Sequence, residues 1–227
     1  VTDTRTRLYY TAKFNDDFKF VNKFEFNTTW GDNVGGDVGA DGQGNWRIKN
    51  SYADFTLGMV NTKVGIQGAT INRGFLFADD FSGVVVTADF GSVKVPLLYG
   101  MLSNEDVEYR NWGGSPASVK LYTNDVASTA TIAGGTGDVH LLSLMPKFDI
   151  NENISVQPHL TYANITQQDS YLWYIGTDVD AKFDAVSVWG TMLHNGGQID
   201  KAATGGTSDA DISAWLFAAG ADAGIFH

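Results

Sequence analysis

Between Phe18 and Trp30 the side chains alternate without a break. Phe18, Phe20, Asn22, Phe24, Phe26, Thr28 and Trp30 hold the even positions; Lys19, Val21, Lys23, Glu25, Asn27 and Thr29 hold the odd ones. An extended chain sends successive side chains to opposite faces, so this segment has one aromatic face and one polar face. Arg5 to Phe14 repeats the pattern, with Leu8, Tyr10, Ala12 and Phe14 against Arg5, Arg7, Tyr9, Thr11 and Lys13. So do Ile154–Tyr162 and Trp173–Phe183, while no helical stripe of four or more turns occurs anywhere.

This period predicts about eleven strands, near 4–14, 18–30, 46–59, 62–68, 83–89, 93–101, 139–149, 154–164, 170–183, 185–194 and 212–222. The third changes phase near Asn50–Ser51, which predicts a bulge. The tenth is apolar on both faces. Short links stand at Asn15-Asp16-Asp17, Val60-Asn61, Gly91-Ser92, Asn151-Glu152-Asn153 and Asp184, and read as tight hairpins. Longer links at 31–45, 69–82, 102–138, 165–169 and 195–211 alternate with them. A Greek-key sandwich has no reason to sort links this way. A barrel crossing an outer membrane does, with short periplasmic turns and long outer loops. The expected fold is all-β: an up-and-down antiparallel transmembrane β-barrel.

The alternation alone leaves open which face is wet. In a soluble domain the aromatic rows would be a core; in a membrane barrel they meet lipid and the polar rows line a lumen. Three features favour the membrane. Strands of about ten residues fit a tilted span of the bilayer. Phe14, Phe18, Trp30, Trp46, Phe148, Trp173 and Phe183 stand at strand ends, as interfacial belts would. The long links are rich in glycine, aspartate and asparagine.

Composition removes other classes. Lys plus Arg total 15 against 26 Asp plus Glu, a net charge of −11, so a nucleic-acid partner is not expected. No cysteine is present, which excludes disulfides, thiolate catalysis and cysteine-held metal. No apolar run reaches the roughly 18 residues of a membrane helix. A mean hydropathy of −0.13 suits strands that are wet on one face.

At residues 62–84 the chain reads Thr-Lys-Val-Gly-Ile-Gln-Gly, then Gly74, then Asp79-Asp80-Phe81-Ser82-Gly83-Val84. This resembles the strand–loop–strand signature of outer-membrane porins of the alginate-export type. Arg5-Thr6-Arg7-Leu8 and Phe24-Glu25-Phe26-Asn27 resemble early strands of that group. The resemblance implies a β-barrel that passes small or polymeric solutes. Bacterial barrels start and finish in the periplasm with an even strand number. If the short links are periplasmic, the first strand begins outside the cell. A single barrel domain over 1–227 is therefore expected to be a piece of a longer chain, with about 12–18 strands in all.

Arg5, Arg7 and Lys13 share the polar face of the first strand, Lys19 and Lys23 that of the second, and Lys63 lies on the fourth. Neighbouring strands would set these about 5 Å apart. Such a pore-lining cationic wall favours anions; the alternative is an ordinary polar lining balanced by Glu25 and Asp54. Asp79 and Asp80 follow the apolar run Phe75–Ala78, which either folds inward as a constriction loop or extends a strand. Asp32, Asp37 and Asp41, in a glycine-rich link, could wrap calcium or form only a surface loop. No cofactor is expected. Histidines in no H-x-x-x-H spacing, and no G-x-S-x-G elbow, argue against catalysis.

The function expected is a porin of the bacterial outer membrane, surrounded by lipid and passing hydrophilic, candidate anionic, solutes by diffusion. A homotrimer is a candidate assembly. The alternatives are a barrel sheathing a partner protein and a soluble carbohydrate-binding β-domain.

Overall fold

The computed structural model describes residues 3–29, 45–103, 139–166, 169–200 and 208–223. They form one antiparallel sheet of twelve strands: β1 (Asp3–Lys13), β2 (Phe18–Thr29), β3 (Asn45–Leu57), β4 (Val60–Ile71), β5 (Phe77–Asp89), β6 (Val93–Ser103), β7 (Val139–Leu144), β8 (Lys147–Asp149), β9 (Ile154–Ile165), β10 (Ser170–Phe183), β11 (Val186–Ile199) and β12 (Ala210–Ala223). Each pairs with its neighbours in sequence, except that β7 and β8 lie end to end between β6 and β9. Met145 and Pro146 separate them, and proline has no N–H for the ladder. The sheet thus has eleven strand positions, with Val139–Asp149 filling one, as the sequence pattern predicts.

Turn chemistry explains the short links. Gly58 (φ +59) opens the turn between β3 and β4, two residues before the Val60-Asn61 position expected from sequence. Gly91 (φ +86) turns after β5, and its N–H donates to the Asp89 carboxylate at 2.9 Å. The Asn151 side chain accepts from the N–H groups of Asn153 and Ile154. These are local bonds that Gly, Asn and Asp supply cheaply. The expected bulge is present. Lys23 pairs with Asn50 and Phe24 with Ile48, so Lys49 is the extra residue.

Burial runs opposite to that of a soluble protein. Leu8, Tyr10, Leu160, Ile175, Trp215 and Phe217 are all more than half exposed, with no second layer among the described residues over them. The facing parity holds the buried side chains, including Glu25, Asp54, Asp178, Thr161 and His159. One expectation is corrected. The inner face is not polar throughout: Ile71, Leu76, Phe77, Phe81, Leu98 and Leu141 form a dry cluster there with Leu172, Tyr174 and Leu193. They collect because the link after β4 folds inward and brings apolar residues with it.

Candidate functional site

That link is shorter than the sequence suggests. β4 runs on to Ile71 and β5 starts at Phe77, so the connection is 72–76 rather than 69–82. Asp79 and Asp80 stand in the ladder of β5, opposite Ala69 and Gly68, instead of in a loop. Buried Ile71, Phe77 and Phe81 extend the strand pair, because their apolar side chains reach the inner cluster only at strand parity. Asp80 forms an ion pair with the bulge residue Lys49.

Residues 72–76 cross the inside of the sheet. Asn72 Nδ2 donates to Asp178 Oδ1 of β10 at 2.9 Å. Arg73 Nη2 lies 2.6 Å from Asp180 Oδ1 and donates to the Val179 carbonyl at 3.3 Å, and the guanidinium sits 5.1 Å from the ring centre of Trp189 on β11. Thr191 Oγ1 donates to Asp178 Oδ1 at 2.6 Å. From β4 to β10 is five strand positions, roughly 24 Å along a flat sheet. A 2.9 Å bond across that interval requires the sheet to curl, as a barrel wall does. The crossing is made with strained backbone: Asn72 (φ +52) and Arg73 (φ +55) are both left-handed, followed by Gly74 (φ +87). Asparagine tolerates this region; for arginine it is unfavourable by about 1–2 kcal/mol. Such conformations persist where surrounding contacts hold them, often at functional sites.

Beneath the crossing lies a partly enclosed cavity of about 190 Å³, walled by Asn72, Arg73, Met145, His159, Asp178 and Asp180. His159 is 4% exposed, and neither of its ring nitrogens meets a hydrogen-bond partner among the described residues. Its ring fits because Gly176 lies opposite it in register. A Cβ at Gly176 would stand 2.6 Å from the Met192 carbonyl oxygen and closer still to His159 Nε2. Gly176→Ala is therefore expected to lower stability by about 1–3 kcal/mol, as overpacking does. Urea unfolding checks this; an unchanged midpoint would mean the ring has room to move.

The wall formed by β1–β4 is basic. Glu25, 4% exposed, accepts from Arg7 Nε at 2.8 Å and Asn27 Nδ2 at 3.0 Å, with Arg5 and Arg47 each at 3.8 Å. One carboxylate on β2 therefore serves three guanidinium groups from the two strands beside it, β1 and β3. Lys19 pairs with Asp54 at 3.2 Å. Lys23 lies 5.3 Å over the Tyr9 ring and Lys63 5.9 Å over that of Tyr52. Lys13 instead sits at the hairpin, 2.7 Å from Asp16. The cations expected to share a face thus stand together on β1–β4, with Lys13 at its lower edge. Asp32, Asp37 and Asp41 lie outside the described residues. Sequence reading missed Asn72, Arg73, Asp178 and Asp180 as a group. Their only signal was polar parity in β10 and an arginine in a long link.

No protein-family model matches the chain, and no curated protein matches it. Solved structures do. The chain is similar to OccK2 (OpdF) of Pseudomonas aeruginosa in complex with glucuronate, with a TM-score of 0.58, 12% identity, and coverage of 96% of this chain and 54% of that one. Its fold is that of the outer-membrane porins. OccD3 (OpdP) of P. aeruginosa aligns with a TM-score of 0.55 and 12% identity over 96% of this chain and 49% of that one. OccAB1 of Acinetobacter baumannii aligns at 0.50 and 10% over 98% and 61%. This chain spans about half to three fifths of the length of these porin-fold proteins.

Proposed function

We propose that this porin-fold chain forms part of the wall of a bacterial outer-membrane channel, through which small hydrophilic solutes diffuse. The observation that carries this is the inverted burial. Leucine, tyrosine and tryptophan rows face outward unshielded, while aspartate, glutamate and histidine are covered on the inner face. Water would penalise the first arrangement and lipid rewards it. The resemblance of residues 62–84 to porins of the alginate-export type supports the same role, as do similar structures that are about twice as long. In this reading the chain is one section of a larger barrel, lipid surrounds it, and a homotrimer is a candidate assembly. No catalytic step is part of it.

The basic wall gives the channel a preference for anions. Arg5, Arg7, Lys19, Lys23, Arg47 and Lys63 outnumber the two carboxylates, Glu25 and Asp54, that answer them on β1–β4. Rings of Lys and Arg favour anions in a pore. The glucuronate held by OccK2, itself an anion, is in keeping with this. Replacing Arg5 and Arg7 together with glutamate is expected to lower the anion-to-cation permeability ratio several-fold. Reversal potentials across planar bilayers in a salt gradient measure it. A ratio equal to that of the unaltered protein would refute the role of this wall.

A further inference from the structure

We infer that the hairpin tip formed by residues 67–81 is a hinged strap with two resting places. One is the docked position against β10; the other lies in the wall, zipped to the free edge of β3. Its effect on current rests on the channel reading, whereas the movement itself does not. The ladder between β3 and β4 forks. It runs from Leu57 opposite Val60 to Ser51 opposite Ile66, and stops. Above that point both strands stay extended, β3 to Asn45 and β4 to Ile71. Asn45–Asn50 pair only with β2, around the bulge at Lys49, and Gln67–Ile71 pair only with β5. On the far side of the hairpin, β5 meets β6 only from Ser82 to Asp89. Among the described residues, the arms of the tip thus share a backbone ladder with each other and with neither neighbouring strand.

The fork opens at a line of glycines. Gly65 on β4, Gly83 on β5 and Gly100 on β6 stand opposite one another in register. Gly65 has φ +131, and a Cβ there would run into the Ser51 carbonyl oxygen; one at Gly83 would run into that of Tyr99. Side chains are excluded from this line and the backbone turns freely there, as a hinge requires. Above it the tip leans inward, with the Phe81 ring lying on Gly100 and with Asn72 and Arg73 reaching β10. Each position satisfies what the other leaves open. Docking secures the contacts of Asn72 with Asp178 and of Arg73 with Asp180, and buries Ile71, Leu76 and Phe77. It also keeps two left-handed residues and leaves Asn72 Oδ1 and Arg73 Nε without hydrogen-bond partners among the described residues. The facing edges of Asn45–Asn50 and Gln67–Ile71 stay open, which is unfavourable in a bilayer because no water reaches their N–H and C=O groups. Moving into the wall continues the existing ladder along β4 and closes those edges. Lys49, already paired with Asp80 of the tip, holds the two edges near each other. The two positions exchange one set of backbone and polar contacts for another, which is what makes an element bistable.

The test uses the full-length protein, with any cysteine outside residues 1–227 replaced, since these residues hold none. In planar bilayers the unaltered protein is expected to show two conductance levels, the higher one occupied about 0.1–10% of the time. Asn72→Cys combined with Asp178→Cys removes the dock and should raise that occupancy several-fold. A bis-methanethiosulfonate that spans the two thiols should abolish the higher level, and reduction should restore it. Hydrogen exchange locates the tip. Alternate residues of a strand bond to opposite neighbours, so about three amides in Asn45–Asn50 should be protected in the unlinked double variant and exchange faster once it is linked. Arg73→Gln, a milder change that keeps the bond from Asn72 to Asp178, should move occupancy and protection the same way by a smaller amount. A single level that neither linking nor Arg73→Gln alters, or exchange at Asn45–Asn50 that linking leaves unchanged, would overturn the proposal. A protein that passes no current at all counts against the channel, while the exchange difference still decides the strap.

Discussion

Replacing Leu160 with arginine is expected to destabilise the folded protein in lipid vesicles by about 2–4 kcal/mol. Leu160 lies on β9, an interior strand, and is 51% exposed. It belongs to an outward row that runs from Leu144 through Leu160 to Ile175, each opposite the next in register. The row continues through His194 to Trp215. If water bathed this row, an arginine there would change stability by no more than about 0.5 kcal/mol, because exposed positions away from packed features tolerate substitution. If acyl tails bathe it, a guanidinium must be desolvated or pull water into the bilayer. The two solvents predict effects several-fold apart at one residue. Reversible urea unfolding in phospholipid vesicles, followed by tryptophan fluorescence, measures the difference. A loss below about 0.5 kcal/mol would mean that water, not lipid, meets this row, and would refute the membrane reading.

The second large effect is expected at Asp178. Its carboxylate, on a side chain 8% exposed, accepts from Asn72 and Thr191 and lies 3.7 Å from Arg73 Nε. Asp178→Ala strands the Asn72 amide and takes from Arg73 its better-buried partner. Breaking a buried pair by removing one member is unfavourable by about 3–5 kcal/mol, and here Asp180 and the Val179 carbonyl soften the loss. Without that anchor, the left-handed residues 72 and 73 have less to hold them across the sheet. Arg73 should then become a site of rapid cleavage by trypsin, and single-channel current should rise as the crossing withdraws. Asp178→Asn keeps an acceptor for Asn72 and should show a smaller change in each measurement. An Asp178→Ala protein with unaltered stability, current and trypsin pattern would mean the crossing is held by its apolar neighbours alone.

Parity was legible because it is local. The alternation at Phe18–Trp30 or Trp173–Phe183 assigns each side chain to a face whatever the rest of the chain does. The phase change near Asn50 gave away the bulge at Lys49 for the same reason. Glycine and asparagine marked the turns, with an error of two residues at Gly58 where Met59 carries no turn signal. The extent of β4 and β5 was misjudged because Phe75–Ala78 and the two aspartates break the alternation. Their strand character comes from pairing with Gly68–Ile71, a partner that propensity does not reveal.

What the amino-acid order determined, then, was the list of strands, their up-and-down pairing and the side of the sheet on which each residue stands. These depend on contacts between neighbours in sequence. Tertiary structure decided what met across the interior. The bond from Asn72 to Asp178 joins residues 106 positions apart, and no local pattern encodes a distance set by the accumulated curl of six strands. For the same reason a histidine that looked like one more polar residue on β9 became a buried side chain facing a cavity, with Gly176 beneath it and Arg73 above.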